Sequence, residues 1–488
     1  MPNHTEAGGV HRNTAEIVID GHYSSKVYTS GSSITGRAII RPTHDVTFSN
    51  FEIIFTGSAG TRIDFVQQFP AHSIRNFMKL RMPIYDTDLP RPRIFREGHT
   101  YTIPFHFVVP HELTIGACCH SYDNPAVQAQ HVQPPPTMGF WECDDQAPEM
   151  AKIEYAVKAR AFDLVDGDLR KVLEGYHIVK VLPASPEQAP LDISWKDERY
   201  QLSKTKTIRK NLFSGKLGKL TSSATQPAAI MLPADAHGAS STSARINFEF
   251  HPTATDVTPP KISSVSGKII STTYFSVNPV RDFPNLGSRS NHLNVPALTY
   301  SNTTSLFSTQ VGNAAKWTQQ GATSERRDSG YWSPQLDEEA VDTDGSEGRN
   351  NQPRAKNSSK KSACPFKYTT TVDIPFSLPT GIKKIFLPTF HSCLISRTYV
   401  LQLNVSIGSS STTMSLAVPL QIGVETVNDP MLHDELPSFE TALAQAQQQN
   451  ADAYLHPEMF DMAGADFQGG GTLPGYDHVR GHPIPVSH

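Results

Sequence analysis

Apolar side chains recur at every second position through much of this chain, and a period of two predicts half-buried β-strands. Three short runs open the series: Ala15 to Asp20, Ser33 to Ile40 ahead of Pro42, and Phe51-Glu52-Ile53-Ile54-Phe55, closed by Gly57. Tyr101, Ile103, Phe105, Phe107 and Val109 then share one face, with Thr102, Pro104, His106 and Val108 on the other. Pro104 cannot donate to a ladder, so it predicts an edge strand or a bulge. Ile153, Tyr155, Val157, Ala159 and Ala161 alternate with Glu154, Lys158 and Arg160, and His177 to Leu182 adds one more strand. No strong helical period interrupts this region.

A second set begins near Ala228. Ile246, Phe248 and Phe250 alternate, and Lys261 to Phe275 forms a long run around Gly267. Tyr368, Thr370, Val372, Ile374, Phe376 and Leu378 share a face, as do Tyr399, Leu401, Leu403, Val405 and Ile407, and Met414 to Ile422 closes the series. Alternating strands separated by turns predict an all-β chain of two antiparallel β-sandwiches. The first spans residues 15–185 after a disordered N-terminus of residues 1–14, and the second spans 225–425.

Three stretches break the pattern. Residues 186–224 read as a connector, and Leu202 to Leu220 within it is basic, with no acidic residue. A solvated linker is the plain reading, and contact of residues 204–219 with acidic lipid headgroups or a phosphorylated partner is the other. Residues 279–362 are rich in Ser, Thr, Asn and Gly and bury too little apolar surface to offset ordering entropy. They read as a long disordered insertion in the second sandwich, which costs little because closure entropy grows slowly with length. Residues 426–488 read as a flexible tail, acidic and then Gly-rich.

Composition narrows the function. The 488 residues carry a formal net charge of -4, without the basic excess of a nucleic-acid binder. Five cysteines cannot all pair, which suits a reducing compartment. The first residues lack the apolar core of a signal peptide, and the sequence has no 18-residue apolar run.

Candidate chemistry is sparse. His391 and Cys393 lie two apart before a strand, but zinc needs three or four ligands. His106, His111, Cys118, Cys119 and His120 cluster in sequence without a familiar metal spacing. Asp144 and Asp145 sit in a loop. No HExxH, GxSxG, GxGxxG or phosphate-binding loop is present. The expectation is therefore no catalytic, cofactor or metal site, and a hydrolase with a site dispersed over a β-sandwich is the enzymatic alternative. Arg326-Arg327-Asp328-Ser329 and Ser333-Pro334 make Ser329 and Ser333 candidate phosphorylation sites. In the tail, Leu436-Pro437-Ser438-Phe439 and Leu473-Pro474-Gly475-Tyr476 each set an aromatic two residues after a proline, which suits a WW-type groove.

In order along the chain, several segments resemble arrestin-domain proteins of the fungal α-arrestin type. They are Ile34-Thr35-Gly36, Phe51 to Gly57, Gly98 to Phe107 ahead of Val109-Pro110, Ile153-Glu154-Tyr155, Pro260 to Lys268, Leu387 to Cys393 leading into Tyr399, and Val418 to Ile422. The resemblance implies two arrestin-like sandwiches. It also implies a cytoplasmic trafficking adaptor, recruited to plasma membrane or endosomes, that links cytosolic segments of membrane transporters or receptors to a WW-domain HECT-class ubiquitin ligase for ubiquitin-dependent endocytosis. Family tails carry Pro-Pro-x-Tyr. Here leucine replaces the first proline in both motifs, and Phe439 replaces the tyrosine in one. A signalling or pH-sensing scaffold without a ubiquitin role is the alternative within the family.

Overall fold

The computed structural model describes residues 15–64, 70–165, 167–191, 193, 199–209, 215–236, 238–284, 298–312, 315–321, 364–381, 383–408 and 412–426. The first half contains β1 (Ala15–Ile19), β2 (Val27–Tyr28), β3 (Ser33–Ile40), β4 (Val46–Thr47), β5 (Asn50–Ile63) and β6 (Ala71–Arg81). It continues with β7 (Ile94–Phe95), β8 (Tyr101–Val108), the helix α1 (Pro125–His131), β9 (Ala151–Val165) and β10 (Asp168–Val181). One sheet runs β1-β3-β8 and the other β2-β10-β9-β5-β6. Alternate side chains of both, such as Ile34, Phe105, Phe55 and Tyr155, meet in one core. Pro104 lies on β8, paired to β3 alone, so its missing N–H costs the sheet nothing.

The second half contains β11 (Ser203–Arg209), β12 (Lys216–Ala224), β13 (Ile230–Leu232), β14 (Ser241–Pro252), β15 (Ile262–Phe275) and β16 (Leu298–Gln310). After these come β17 (Thr318–Gly321), β18 (Phe366–Ser377), β19 (Phe390–His391), β20 (Ile395–Ile407), β21 (Thr412–Leu420) and β22 (Ile422–Val424). One sheet runs β11-β12-β14-β18-β17. The facing sheet runs β16-β15-β20-β19, with β21 also on β20. Phe248, Phe250 and Ile374 from the former meet Ile269, Leu401 and Leu416 from the latter in a second core. Most pairing is antiparallel, while β2 with β10 and β13 with β22 pair in parallel.

Four features differ from expectation. β5 does not stop at Gly57 but passes through it to Ile63. The helix α1 stands where the pattern showed none, opened by Asn124, whose side chain accepts from the Ala126 N–H, with Pro125 in the first turn. The basic stretch is no linker: β11 and β12 form a hairpin pair, and β12 is bonded in turn to β14. Within the stretch read as an insertion, β16 pairs along β15 and β17 along β18. β11, β16 and β17 escaped the pattern because they lie at sheet edges and bury little, whereas β12 lies inside its sheet and buries Leu220 and Ala224. β16 has no buried residue, and β11 buries Ile208 alone. No helix among the described residues is long and apolar enough to cross a membrane.

Candidate functional site

The two cores meet where the chain passes from one to the other. Val181 closes the first core and Leu182, the next residue, enters the second. The same exchange occurs at Phe386 and Leu387, which belong to the second and first cores respectively. Alternation along an extended chain places neighbours on opposite sides, so one short segment fills both. The far ends of β15 and β20 also cross, carrying Phe275 and its register partner Ile395 into the first core.

A buried polar lock holds this junction. Arg397 on β20 has no exposed surface, 0%. Its Nε donates to Thr273 Oγ1 at 2.8 Å, and its Nη1 and Nη2 donate to the backbone oxygens of Asp145 and Gln146 at 3.2 and 3.0 Å. A buried guanidinium is tolerated when oxygens satisfy its fork of donors, and here two of the three come from the other half. The Asp145 carboxylate accepts from the Gly139 and Ala147 N–H groups and shapes the loop that presents these carbonyls. Burial raises the Asp145 pKa, against which the two backbone bonds and Arg397 pull downward. Gln146, at φ 58°, accepts from Ser271 Oγ through its side-chain oxygen at 2.7 Å. Asp144 and Ile385 exchange backbone bonds with their neighbours across the same seam. The Asp144-Asp145 pair is thus a structural loop within the lock.

Beside the lock runs a groove. α1 (Ala126, Gln130) forms one wall, the crossing segment at Ser185 and Pro186 another, and Thr389 and His391 line its end, around a cavity of about 410 Å³. A second opening of similar volume continues past His111 and shares Gln130, Ser185 and His391 with the first. Its size is that of a small-ligand or peptide pocket. His391 packs edge-on against Phe283 with ring centroids 5.0 Å apart. Its Nδ1 is shut off from water without a hydrogen-bond partner, and burial pulls its pKa to about 4.

The thiols and imidazoles of the sequence candidates divide. His106 sits at the β8 edge, 3.5 Å from Ser33 Oγ, and Cys119 is exposed with its thiol on the Gly116 carbonyl at 2.6 Å. Cys118, His120 and Cys393 converge instead with His131, the last residue of α1, which sequence reasoning passed over. Cys118 Sγ is 3.4 Å from His120 Nε2 and 3.6 Å from His131 Nδ1, and the four donor atoms all lie within 4.8 Å of one another. Burial, with help from His120, His391 and Arg75, pulls His131 to about 4, and burial pushes Cys393 up to about 12. No short-range spacing announces this group, because Cys393 arrives from the second half. Cys118-x-His120 ahead of a helix ending in His131 was its one local trace.

Lys204 and Lys206 lie on the β11 edge strand, where Lys206 Nζ donates to the Thr413 carbonyl at 2.7 Å. Ser329, Ser333, Leu436, Pro437, Phe439, Leu473, Pro474 and Tyr476 lie outside the described residues.

The family model Bul1_C, described as the Bul1 C terminus, matches residues 298–424. The match opens on the first residue of β16 and closes on the last of β22. It links this part of the chain to fungal α-arrestins of the Bul1 type. A comparison with curated proteins finds no match.

Proposed function

We propose that this chain is an arrestin-like adaptor of two β-sandwiches, which holds a cytosolic segment of a membrane transporter or receptor and brings a WW-domain HECT-class ubiquitin ligase to it for endocytosis. The observation that carries the reading is the match of residues 298–424 to the Bul1 C terminus, together with the paired sheets and cores. Trafficking adaptors of this kind work from the cytoplasm and reach plasma membrane or endosomes through cargo. The groove at the junction has the size and mixed lining for an extended peptide, with apolar floor residues Tyr399, Leu420 and Ile422 and backbone nearby. Lys204, Lys206, Lys216 and Lys219 on the β11–β12 hairpin give a basic edge for acidic headgroups at the same membrane. The ligase is recruited through Leu473-Pro474-Gly475-Tyr476, with Leu436-Pro437-Ser438-Phe439 as the weaker motif, and phosphate on Ser329 or Ser333 adjusts the adaptor's charge.

One observation favours a second reading. Leucine at both first positions of the tail motifs removes a proline that preorganises the extended ligand, which suits a signalling or pH-sensing scaffold without ligase. A pulldown of the full chain with isolated WW domains separates the two. The adaptor reading expects capture by wild type and loss of roughly tenfold or more in affinity for Tyr476→Ala, since an aromatic anchor in a pocket dominates such contacts. Absence of capture for both forms assigns the scaffold role.

A further inference from the structure

The geometry points to a structural zinc site formed by Cys118, His120, His131 and Cys393, which pins the first half of the chain to the second. This inference is independent of the adaptor reading.

Tetrahedral zinc holds sulfur at ~2.3 Å and imidazole nitrogen at ~2.0–2.1 Å, so neighbouring S and N ligands lie ~3.5 Å apart. The separations from Cys118 Sγ to His120 Nε2 and His131 Nδ1, 3.4 and 3.6 Å, match that edge. The ceiling of 4.8 Å for the whole set leaves Cys393 within a small shift of the last vertex. Two thiolates and two imidazoles in tetrahedral array select zinc among common divalent ions.

Three of the four ligands are held from behind, and His131 is placed by the end of α1. His120 Nδ1 lies 2.9 Å from the Ser121 carbonyl, so its N–H donates there and leaves the Nε2 lone pair facing Cys118. The Cys118 N–H donates to the Ile115 carbonyl. Cys393 sits in a turn fixed by Ser392, whose Oγ bonds Ile395, and its carbonyl accepts from the Val280 N–H. Arg75 donates to the Ala117 carbonyl, one residue before Cys118, at 2.9 Å. Cys118, His131 and Cys393 are buried and His120 is half-buried, which gives an ion a path of entry. On binding, the two thiols release their protons to solvent, and two thiolates neutralise the ion's charge.

Three ligands come from the loop and helix between β8 and β9, and the fourth from the turn between β19 and β20. A bound ion therefore closes a long loop through the junction and opposes separation of the halves.

The test is metal analysis of the full chain purified under reducing conditions and dialysed against a weak chelator. The expected result is about one zinc per chain, the capacity of one four-ligand site. Cobalt(II) in its place gives the visible bands of a tetrahedral thiolate complex. Competition with a chromophoric chelator should show affinity reduced by roughly 100-fold in Cys393→Ser and His131→Gln, since each removes a direct ligand. Cys119→Ser, next to the site but outside it, leaves affinity unchanged. Should the buried variants fail to fold, His120→Asn at the half-buried vertex gives the same readout. Absence of retained zinc overturns the site, as does a native Cys118–Cys393 disulfide found by thiol titration. Zinc binding that survives both Cys393→Ser and His120→Asn, or that is lost with Cys119→Ser, also overturns it.

Discussion

The β5–β6 pair of the first half and the β15–β16 pair of the second are built alike. Each joins a long central strand to an edge strand, and each has a register break at a glycine, between Gly57 and Ser58 or between Gly267 and Lys268. In each, a phenylalanine from the edge strand lies on that glycine. A Cβ would stand 2.3 Å from the Phe77 ring at Gly57 and 2.3 Å from the Phe307 ring at Gly267. A bulge twists the edge away from further pairing, and the ring covers backbone that a side chain would otherwise cover. The difference lies at the other end of the central strands. β5 packs into its own core alone, whereas β15 and β20 run on to place Phe275 and Ile395 in the core of the first half. The first core is therefore incomplete without the second half, and the junction is as much a part of the fold as either core.

The strongest way to break that asymmetry is at Arg397, on the crossing part of β20. Arg397→Met keeps most of the volume and leaves the Asp145 and Gln146 carbonyls and Thr273 without their donors. A buried acceptor left without its donor costs ~1–3 kcal/mol, and three are left here. The expected result in urea is a destabilised protein whose halves unfold at separate midpoints, against one shared transition in wild type. A variant as stable as wild type would show that the lock does not join the halves.

The edge rings sharpen the comparison at smaller magnitude. Phe77 is buried and its ring also packs edge-on against Tyr155, with centroids 5.5 Å apart. Phe77→Ala should cost ~3 kcal/mol, at the low end for a buried phenylalanine. Phe307 is half-buried and touches Phe376 at 5.7 Å between centroids, so Phe307→Ala should cost ~1–2 kcal/mol, in proportion to the apolar surface it covers. Urea midpoints of the two variants measure this order. No effect at Phe307 would mean that β16 adds nothing to the second half, despite its place at the start of the Bul1-type match.

These same strands mark the limit of what alternation reveals. β9 and β20 face a core over most of their length, so Ile153 to Ala161 and Tyr399 to Ile407 show a clean period of two. β6 buries only Phe77 and Met78, and β16 buries nothing, because an edge strand is held by backbone bonds along one side and owes the core few side chains. Polar composition at β16 therefore reads as an insertion although its ladder is complete. The junction was harder still. Arg397 looks like one more polar residue at a strand's start, and its acceptors are carbonyls, which leave no mark in a sequence. The cysteines and histidines drew attention, but the grouping depends on a contact between Cys118 and the distant Cys393 that no local spacing encodes. The tail motifs and Ser329 rest on short patterns alone and lie outside the described residues.

A weaker asymmetry is electrostatic. In the first half, His22 and His177 meet edge to face with centroids 4.7 Å apart, and His22 Nδ1 lies 3.2 Å from Tyr28 Oη. Burial lowers the pKa of His22, followed by His177, Lys26 and Lys180, and burial lowers that of His177. The sheet β16-β15-β20-β19 of the second half, with β21 on β20, carries His391 but no such pair on its strands among the described residues. Folded values below the ordinary imidazole value of ~6.5 mean that the unfolded chain binds protons more readily. The stability this pair contributes is thus complete above that value and is lost as pH falls below it through the folded values. Both rings are half-buried, so solvent screens the repulsion and the effect should be the smallest of the three. Urea midpoints measured from pH 7.5 down to pH 5.5 should fall less steeply for His177→Gln than for wild type, since one ring of the pair can then charge without opposing the other. An identical slope in the two proteins would place the acid sensitivity elsewhere and remove this difference between the halves.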